Sequence, residues 1–308
     1  MAYQNVGTPR FYVSLNEYLN SIGAMTVSSS ENQDVSSLGF LNPSDQIIVE
    51  TTGSNETNID FIFDIPTPFL LNDKGYFSIL GHNFSTNNSR FSISDPEESV
   101  GITETEIINS IQSSSYFSTA DYDGFSIFSC NYEQFVANST GIRLRLTQSP
   151  KVGCVSFGNY YDMPHSPDLS LKLSYEYDGV KTQQSKGGAT LSNALYTKPA
   201  DWGDGGAWQL GQGGAYQNFR TGRRVWDLSF SYLSDEDVFP LNAGYLNMSF
   251  DQTGYPSGSF YNNGEFISNI VSGTDFFSQV WNRTMGGHLP FIFQPNNTNN
   301  NPDQFAIC

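Results

Sequence analysis

The residues of this chain that could do chemistry are few and widely spaced. The cysteines and histidines occur singly, at Cys130, Cys154, Cys308, His82, His165 and His288. They form no CxxC pair and no metal-binding spacing. Acidic residues such as Asp121 and Asp123 stand in turns, where carboxylates usually cap or face solvent, and no spacing fixes two of them as an acid and a base. Since a nucleophile elbow is also absent, we expect a protein that is not an enzyme and has no cofactor.

Two groups of residues are candidates for ligand binding. Asp201 and Asp204 in DWGDGG carry oxygen ligands of the kind that calcium prefers, but the EF-hand spacing is missing and a turn is the favoured interpretation. Loop aromatics beside polar residues could stack on sugar rings, and these candidate glycan contacts are Tyr160, Tyr161, Trp202 and Trp208. Because loop aromatics usually bury most of their area, packing is favoured over a glycan site.

An arginine cluster, Arg220, Arg223 and Arg224, precedes a well-patterned strand in a chain with 14 Lys and Arg against 31 Asp and Glu. An anion site would need a helix N-terminus or a glycine-rich nest nearby, and the sequence offers none at a defined place. Arginine also pairs bidentately with carboxylates across protein interfaces. We therefore predict that this cluster lies in a subunit interface, against acidic groups of a neighbouring copy.

Composition excludes several classes of function. Aromatic residues make up 15% of the chain, which is enough for a large core. The net charge of −17 leaves too little positive charge to bind nucleic acid or an anionic membrane. The N-terminal sequence lacks a signal-peptide pattern, and no apolar stretch of about 18 residues occurs. We expect neither nucleic-acid binding nor membrane insertion.

Hydrophobic periodicity divides the chain into four segments. Residues 1–26 form an N-terminal arm with a short strand and a helix over LNEYLNSIG, ended by Gly23. Residues 27–185 show period-two alternation, as in NIDFIFDI, which predicts an antiparallel β-sandwich or jelly-roll-like domain in a mainly β protein. One exception there, ITETEIINSI, is assigned a short helix. Residues 186–219 form a glycine-rich loop region.

Residues 220–308 are predicted to form a C-terminal β-rich module with one packed helix. Its first strand is the alternating segment that runs from Arg224 to Tyr232. A capping box of Ser272 and Asp275 begins the helix. Its buried stripe is Phe277, Val280, Trp281 and Thr284, and Gly286 ends it. The strand HLPFIFQP follows, and the N-terminal strand GTPRFYV could return to complete this sheet.

This last segment resembles the distal-tail and minor-tail proteins of tailed bacteriophages. The resemblance rests on an R-x-W-x-L-x-F strand, a helix with aromatic residues, a G-x-x-P-F-x-F-x-P strand and a following Asp. Its residues are Arg224, Trp226, Leu228, Phe230, Phe276, Phe277, Trp281, Gly287, Pro290, Phe291, Phe293, Pro295 and Asp303. In that family the module builds a ring at the end of the tail tube, often with a carbohydrate-binding sandwich. Here the insertion between Tyr232 and Ser272 is longer, and the sandwich comes first.

The resemblance implies a structural protein of a bacteriophage virion, placed in the tail or tail tip as a distal-tail or adaptor-like protein after assembly in the host cytoplasm. Its implied partners are copies of itself in a ring, other tail proteins and a host surface glycan. Three alternatives stay open from the sequence: a lectin-like receptor-binding or fibre protein, a glycan depolymerase, and a capsid or decoration protein.

Overall fold

The computed structural model of the chain is mainly β, with antiparallel sheets. The structure describes residues 7–43, 45–51, 56–63, 74–96, 104–108, 111–112, 117–130, 132, 141–168, 172–176, 180–194, 223–238, 249–250, 256–257, 261–262, 265–266, 275–301 and 304–308.

In chain order the strands are β1 (Arg10–Ser14), β2 (Met25–Ser29), β3 (Ile47–Ile48), β4 (Glu56–Phe63), β5 (Gly75–His82), β6 (Arg90–Ser94), β7 (Glu104–Ile108), β8 (Ile111–Gln112), β9 (Ser118–Thr119), β10 (Gly124–Cys130), β11 (Gly141–Thr147), β12 (Lys151–Val152), β13 (Cys154–Asp162), β14 (Lys172–Glu176), β15 (Val180–Gln184), β16 (Thr190–Ala194), β17 (Arg223–Asp227), β18 (Ser249–Phe250), β19 (Pro256–Ser257), β20 (Tyr261–Asn262), β21 (Glu265–Phe266), β22 (Phe291–Gln294) and β23 (Ala306–Ile307). The helices are α1 (Leu15–Ser21), α2 (Phe84–Asn87) and α3 (Asp235–Val238), with a 3₁₀ turn at Ser36–Gly39 and a π-helix at Phe277–Trp281.

Two large sheets contain most of these strands. Sheet I has the order β23-β22-β1-β13-β5-β10-β7, and sheet II has the order β2-β4-β11-β6-β9-β8. The other described strands form two-stranded pairs: β3 with β12, β14 with β17, β15 with β16, β18 with β19, and β20 with β21.

Eight strands of the two sheets are paired as one long folded hairpin. The nested antiparallel pairs are β1 with β13, β4 with β11, β5 with β10, and β6 with β9. Numbered among themselves, these eight strands run 1-8-3-6 in sheet I and 2-7-4-5 in sheet II. A hairpin folded over itself in this way gives the two four-stranded sheets of a jelly-roll strand order.

The two sheets contribute to one hydrophobic core, as the predicted sandwich requires. The ring of Phe61 on β4 lies 5.6 Å from that of Phe157 on β13, and the ring of Phe91 on β6 lies 5.9 Å from that of Phe128 on β10. All four side chains are buried, and burying a Phe stabilises a fold by about 1.5–3 kcal/mol. The alternation predicted for β4 is confirmed, since Ile59 also faces this core.

A second apolar layer covers the other face of sheet I. Phe305, close to the C-terminus, is fully buried there. Its ring lies 5.7 Å from that of Phe125 and 6.2 Å from that of Tyr12. Strands β5 and β10 are therefore buried along their whole length. Sheet I is an internal layer, whereas sheet II has one face directed away from the core.

Strand β1 lies between β13 on one side and β22 on the other. One sheet thus contains strands from the predicted arm (1–26), the predicted sandwich (27–185) and the predicted C-terminal module (220–308). The N-terminal strand does complete the sheet of the C-terminal segment, as GTPRFYV suggested, and it also joins that segment to the jelly-roll strands.

Helix α1 forms as its sequence predicts. Ser14 caps its first turn by accepting a hydrogen bond from the backbone N–H of Glu17 at 3.4 Å. Leu15 and Leu19 are buried in the main core. Gly23 ends the helix with a φ of 69°, which favours glycine because it lacks a Cβ atom.

The helix predicted over ITETEIINSI is wrong, because Glu104–Ile108 is strand β7 of sheet I. The hydrogen bonds of β7 go to β10, so a partner distant in sequence overrides the local propensity. In LSLKLSYEY the described residues form β14 over Lys172–Glu176, and the rest of that segment lies outside the described residues. The strand predicted from Arg224 to Tyr232 is shorter than expected, because β17 covers Arg223–Asp227.

Candidate interaction surfaces

Several of the aromatic residues that carry the tail-protein resemblance lie together beside β1. The ring of Phe293 lies 5.0 Å from that of Trp226 and 5.1 Å from that of Phe11. Phe276 lies 5.4 Å from Phe11 and 5.8 Å from Tyr161. These contacts join β17, β22 and the start of the π-helix to β1 and β13, so the motif supplies packing across the sheet.

The predicted buried stripe of the C-terminal helix is partly wrong. Val280 and Thr284 are buried, but Trp281 is 46% exposed. The backbone explains the difference, because the N–H of Asn282 donates to the carbonyl of Phe277 at 2.8 Å, an i to i+5 bond of a π-helix. This wider turn rotates the following residues away from the 3.6-residue period. Trp281 therefore faces solvent.

The start of this helix is capped by one of the two predicted residues. Asp275 accepts hydrogen bonds from the backbone N–H and the hydroxyl of Ser278, both at 2.8 Å. Ser272, the other predicted member of the capping box, and Asp303 of the motif lie outside the described residues. Gly286 has a φ of 75°, in agreement with its predicted place at the end of the helix.

The arginine cluster lies on a strand that already has a partner. Strand β17 pairs with β14 in a register that places Glu176 opposite Arg223 and Tyr175 opposite Arg224. The register therefore places an acidic position of the same chain opposite Arg223 on the neighbouring strand. Arg220 lies outside the described residues.

Tyr160 and Tyr161 are half-buried and take part in intrachain contacts. The guanidinium of Arg10 lies 4.1 Å from the centre of the Tyr160 ring. The same Arg10 pairs with both carboxylate oxygens of Asp162, at 2.7 and 3.0 Å. The Tyr161 hydroxyl donates to the carbonyl of Asp237 at 3.1 Å, and burial raises its pKa to about 12. Arg10 therefore occupies one face of the Tyr160 ring.

Trp202 and Trp208, the other candidate glycan contacts, and the calcium candidates Asp201 and Asp204 lie outside the described residues.

Three reactive side chains of the described region are buried or used as caps, whereas His165, His288 and Cys308 are exposed and lie apart in the sequence. His82 is buried, its Nε2 lies 2.9 Å from the hydroxyl of Ser126, and burial lowers its pKa to about 3. Burial raises the pKa of the Cys154 thiol, so this cysteine packs as a small apolar residue, as predicted. Asp123 accepts hydrogen bonds from the N–H and hydroxyl of Thr86, which is a capping role.

Within the residues that the structure describes, no three His, Cys, Asp or Glu side chains are grouped as a metal site would require. Among the same residues, no helix has the length and apolar character needed to span a membrane.

The outward face of sheet II carries a ladder of polar cross-strand pairs. Arg143 on β11 pairs with both carboxylate oxygens of Asp60 on β4, at 2.6 and 3.1 Å. One pair further along, Arg145 donates to the side-chain oxygen of Asn58 at 3.0 Å. The alternating sequence GIRLRLT predicted a strand, but the partner of each arginine follows from the register of β11 with β4, which sequence reasoning missed.

Comparison of the chain with family models, with curated proteins and with solved structures found no match in any of the three.

Proposed function

We propose that this chain is a structural protein of a bacteriophage virion and that it acts by assembling with copies of itself. The observation that carries the proposal is the nested pairing of eight strands, from β1 with β13 to β6 with β9. Jelly rolls of this strand order are the building units of many viral capsids and also occur in lectins. The bacteriophage assignment rests on the resemblance of residues 220–308.

The strand order favours a capsid or decoration position over the tail-tip position that the resemblance alone implies. Strand β22, which contains Phe291 and Phe293 of the motif, extends sheet I beside β1. Phe291 and Phe293 therefore belong to the same sheet as the jelly-roll strands, and this part of the motif does not require a separate ring-forming module. A shell subunit and a ring subunit both require contacts between two different patches of the same chain.

Charge gives the proposal a measurable consequence. Each copy carries a net charge of −17, so copies repel one another at low ionic strength. The Debye length falls from about 30 Å at 0.01 M salt to about 3 Å at 1 M. We expect light scattering and native mass measurement of the purified chain to show assemblies that grow with salt and protein concentration. Electron microscopy should then show shells for a capsid position or rings for a tail position.

The predicted arginine interface has its own test. Arg223→Glu with Arg224→Glu should give a folded protein that no longer forms shells or rings. Lys151→Glu with Lys186→Glu is the matched control, since both lysines are exposed and the charge change is the same. If the arginine variant assembles as well as the wild type, the arginine cluster does not lie in the subunit interface. A chain that stays monomeric at every salt and protein concentration would contradict the proposed function itself.

A carbohydrate-binding protein is the second candidate, because lectin domains share the jelly roll and Tyr232 of the described C-terminal segment is 81% exposed. A glycan array probed with the full chain tests this candidate. Binding that is lost in Trp202→Ala and retained in Arg223→Glu with Arg224→Glu would favour it over assembly.

A further inference from the structure

Strand β2 forms an edge of sheet II and is bonded on one side only among the described strands. The backbone N–H of Ser30 donates to the carbonyl of Asn58 on β4. Bonded and non-bonded positions alternate in an antiparallel ladder. Ser28 and Thr26 therefore direct their backbone groups at β4, and the intervening Met25, Val27 and Ser29 direct theirs outward. The carbonyl of Ser29 already accepts the N–H of Asn32 at 3.1 Å. The edge therefore offers the outward groups of Met25 and Val27 and the N–H of Ser29 to another strand.

The other described edges of the two sheets are protected against such pairing. Strands β8 and β23 are two residues long, and short edges give little to pair with. Strand β7 carries Glu104 and Glu106, and charged side chains also discourage edge-to-edge association. Strand β2 has five residues, MTVSS, with no charge and no proline. Among the described edge strands of the two sheets, β2 is the one that is neither very short nor charged.

The β2 segment itself is uncharged, which suits pairing with a second copy of this acidic chain, and the nearest carboxylate, that of Asp60 opposite Ser28, is already paired with Arg143. No charged residue occurs between Tyr18 and Ser30. Two large exposed apolar side chains lie beside the strand: Ile62, opposite Thr26 in the register, is 37% exposed, and Ile22, just before β2, is 47% exposed. A partner carrying the same segment would approach without placing a carboxylate against another carboxylate on the paired strands.

We propose that β2 pairs antiparallel with β2 of a second copy about a two-fold axis at Val27, so that the two sheets II become one continuous sheet. In this register Val27 faces Val27 of the other copy and Met25 faces Ser29, so every outward position meets an outward position. Thr26 faces Ser28 across the axis. The contact is isologous and rests on the proposed function only in that copies associate. Addition of a strand to a free edge is an established mode of recognition.

In the proposed dimer Thr26 of one copy lies opposite Ser28 of the other, so a charge-swap experiment on the full chain can test the contact. Both side chains are exposed. Ser28 lies opposite Asp60, which Arg143 already neutralises, and circular dichroism and the thermal midpoint will verify that each variant is folded. Thr26→Lys with Ser28→Lys places like charges opposite each other twice per dimer, and Thr26→Glu with Ser28→Glu does the same. Thr26→Lys with Ser28→Glu places opposite charges there. The matched control is Gln184→Lys with Ala189→Lys at the turn end of the β15–β16 pair, because both residues are exposed and lie outside sheet II.

Sedimentation velocity of each variant gives the dimer dissociation constant. We expect the lysine pair and the glutamate pair each to weaken dimers about tenfold or more, and the lysine–glutamate variant and the control to dimerise like the wild type. Mixing the lysine pair with the glutamate pair should restore dimers as heterodimers. The lysine pair makes the chain less negative, and this change of net charge by itself favours association. Weaker dimers of the lysine pair would therefore have to come from the like charges that face each other at the β2 contact.

Three results would overturn the inference. If the wild type assembles and the lysine pair assembles equally well, β2 is not the contact, although the proposed function stands. If the lysine and glutamate variants are both weakened but do not combine on mixing, the edge pairs with a different strand of the second copy and not with a second β2. A wild type that never associates would contradict both the inference and the proposed function.

Discussion

Removal of one buried ring near the C-terminus should destabilise the whole jelly roll. Phe305 is fully buried against Phe125 and Tyr12, which lie on strands β10 and β1 of sheet I. Phe→Ala at a buried site costs about 3–5 kcal/mol. With an unfolding entropy of about 2.1 cal/mol/K per residue over 308 residues, Phe305→Ala should lower the thermal midpoint by about 5–8 °C. The assay is calorimetry, with urea unfolding to compare m-values.

The same experiment tests whether the C-terminal segment and the jelly roll unfold together. Tyr232→Ala is the control, because it removes a ring of similar size that is 81% exposed and should change stability by less than about 0.5 kcal/mol. If Phe305→Ala moves the midpoint no further than this control, the second apolar layer does not stabilise sheet I. Two transitions, of which only one moves, would separate the C-terminal segment from the jelly-roll strands.

Two further predictions concern single residues. Burial raises the pKa of Glu17, whose carboxylate also accepts a hydrogen bond from the N–H of Leu41. The folded chain therefore holds the proton of the Glu17 carboxyl group more tightly than the unfolded chain does. As a result, the folded chain loses stability as the pH rises from the usual pKa of Glu through the raised pKa. The stability of Glu17→Gln relative to wild type should therefore increase with pH just above the usual pKa of Glu, and a gap that is constant with pH in urea titrations would refute this. Gly81 and Gly23 both have positive φ, but a Cβ at Gly81 would collide with the carbonyl of Pro43 whereas Gly23 has open space. Gly81→Ala should thus lower the urea midpoint more than Gly23→Ala, which costs only backbone strain of about 1–2 kcal/mol, and equal costs would contradict the collision.

The hydrophobic pattern of the sequence correctly predicted those helices and strands in which one face of a single segment is buried. In β4 the period of two places Phe61 and Phe63 in the core and leaves Asp60 outside. In α1 the spacing of Leu15 and Leu19 places both on the buried side. Such elements need no knowledge of a partner, because a single water-excluding surface fixes their orientation.

The strand order and the fate of the candidate sites depend on partners that are distant in sequence. Arg10 and Asp162 are 152 positions apart, yet their pairing fixes the register of β1 with β13. The acidic neighbour of Arg223 likewise follows from the pairing of β14 with β17. Trp281 shows a different limit, because one i to i+5 hydrogen bond changed the helical period and turned the side chain outward.

The two proposed contacts lie on different parts of the fold, and this separation makes them distinguishable. The β2 edge belongs to sheet II, whereas Arg223 and Arg224 lie on the β14–β17 pair. A closed shell or ring needs contacts between unlike patches, and a two-fold contact alone stops at a dimer. If both contacts exist, the arginine variant should stop at the β2 dimer, and Thr26→Lys with Ser28→Lys should lose that dimer. Monomers from the arginine variant, at concentrations where the wild type assembles, would mean that the β2 contact forms only after the other one.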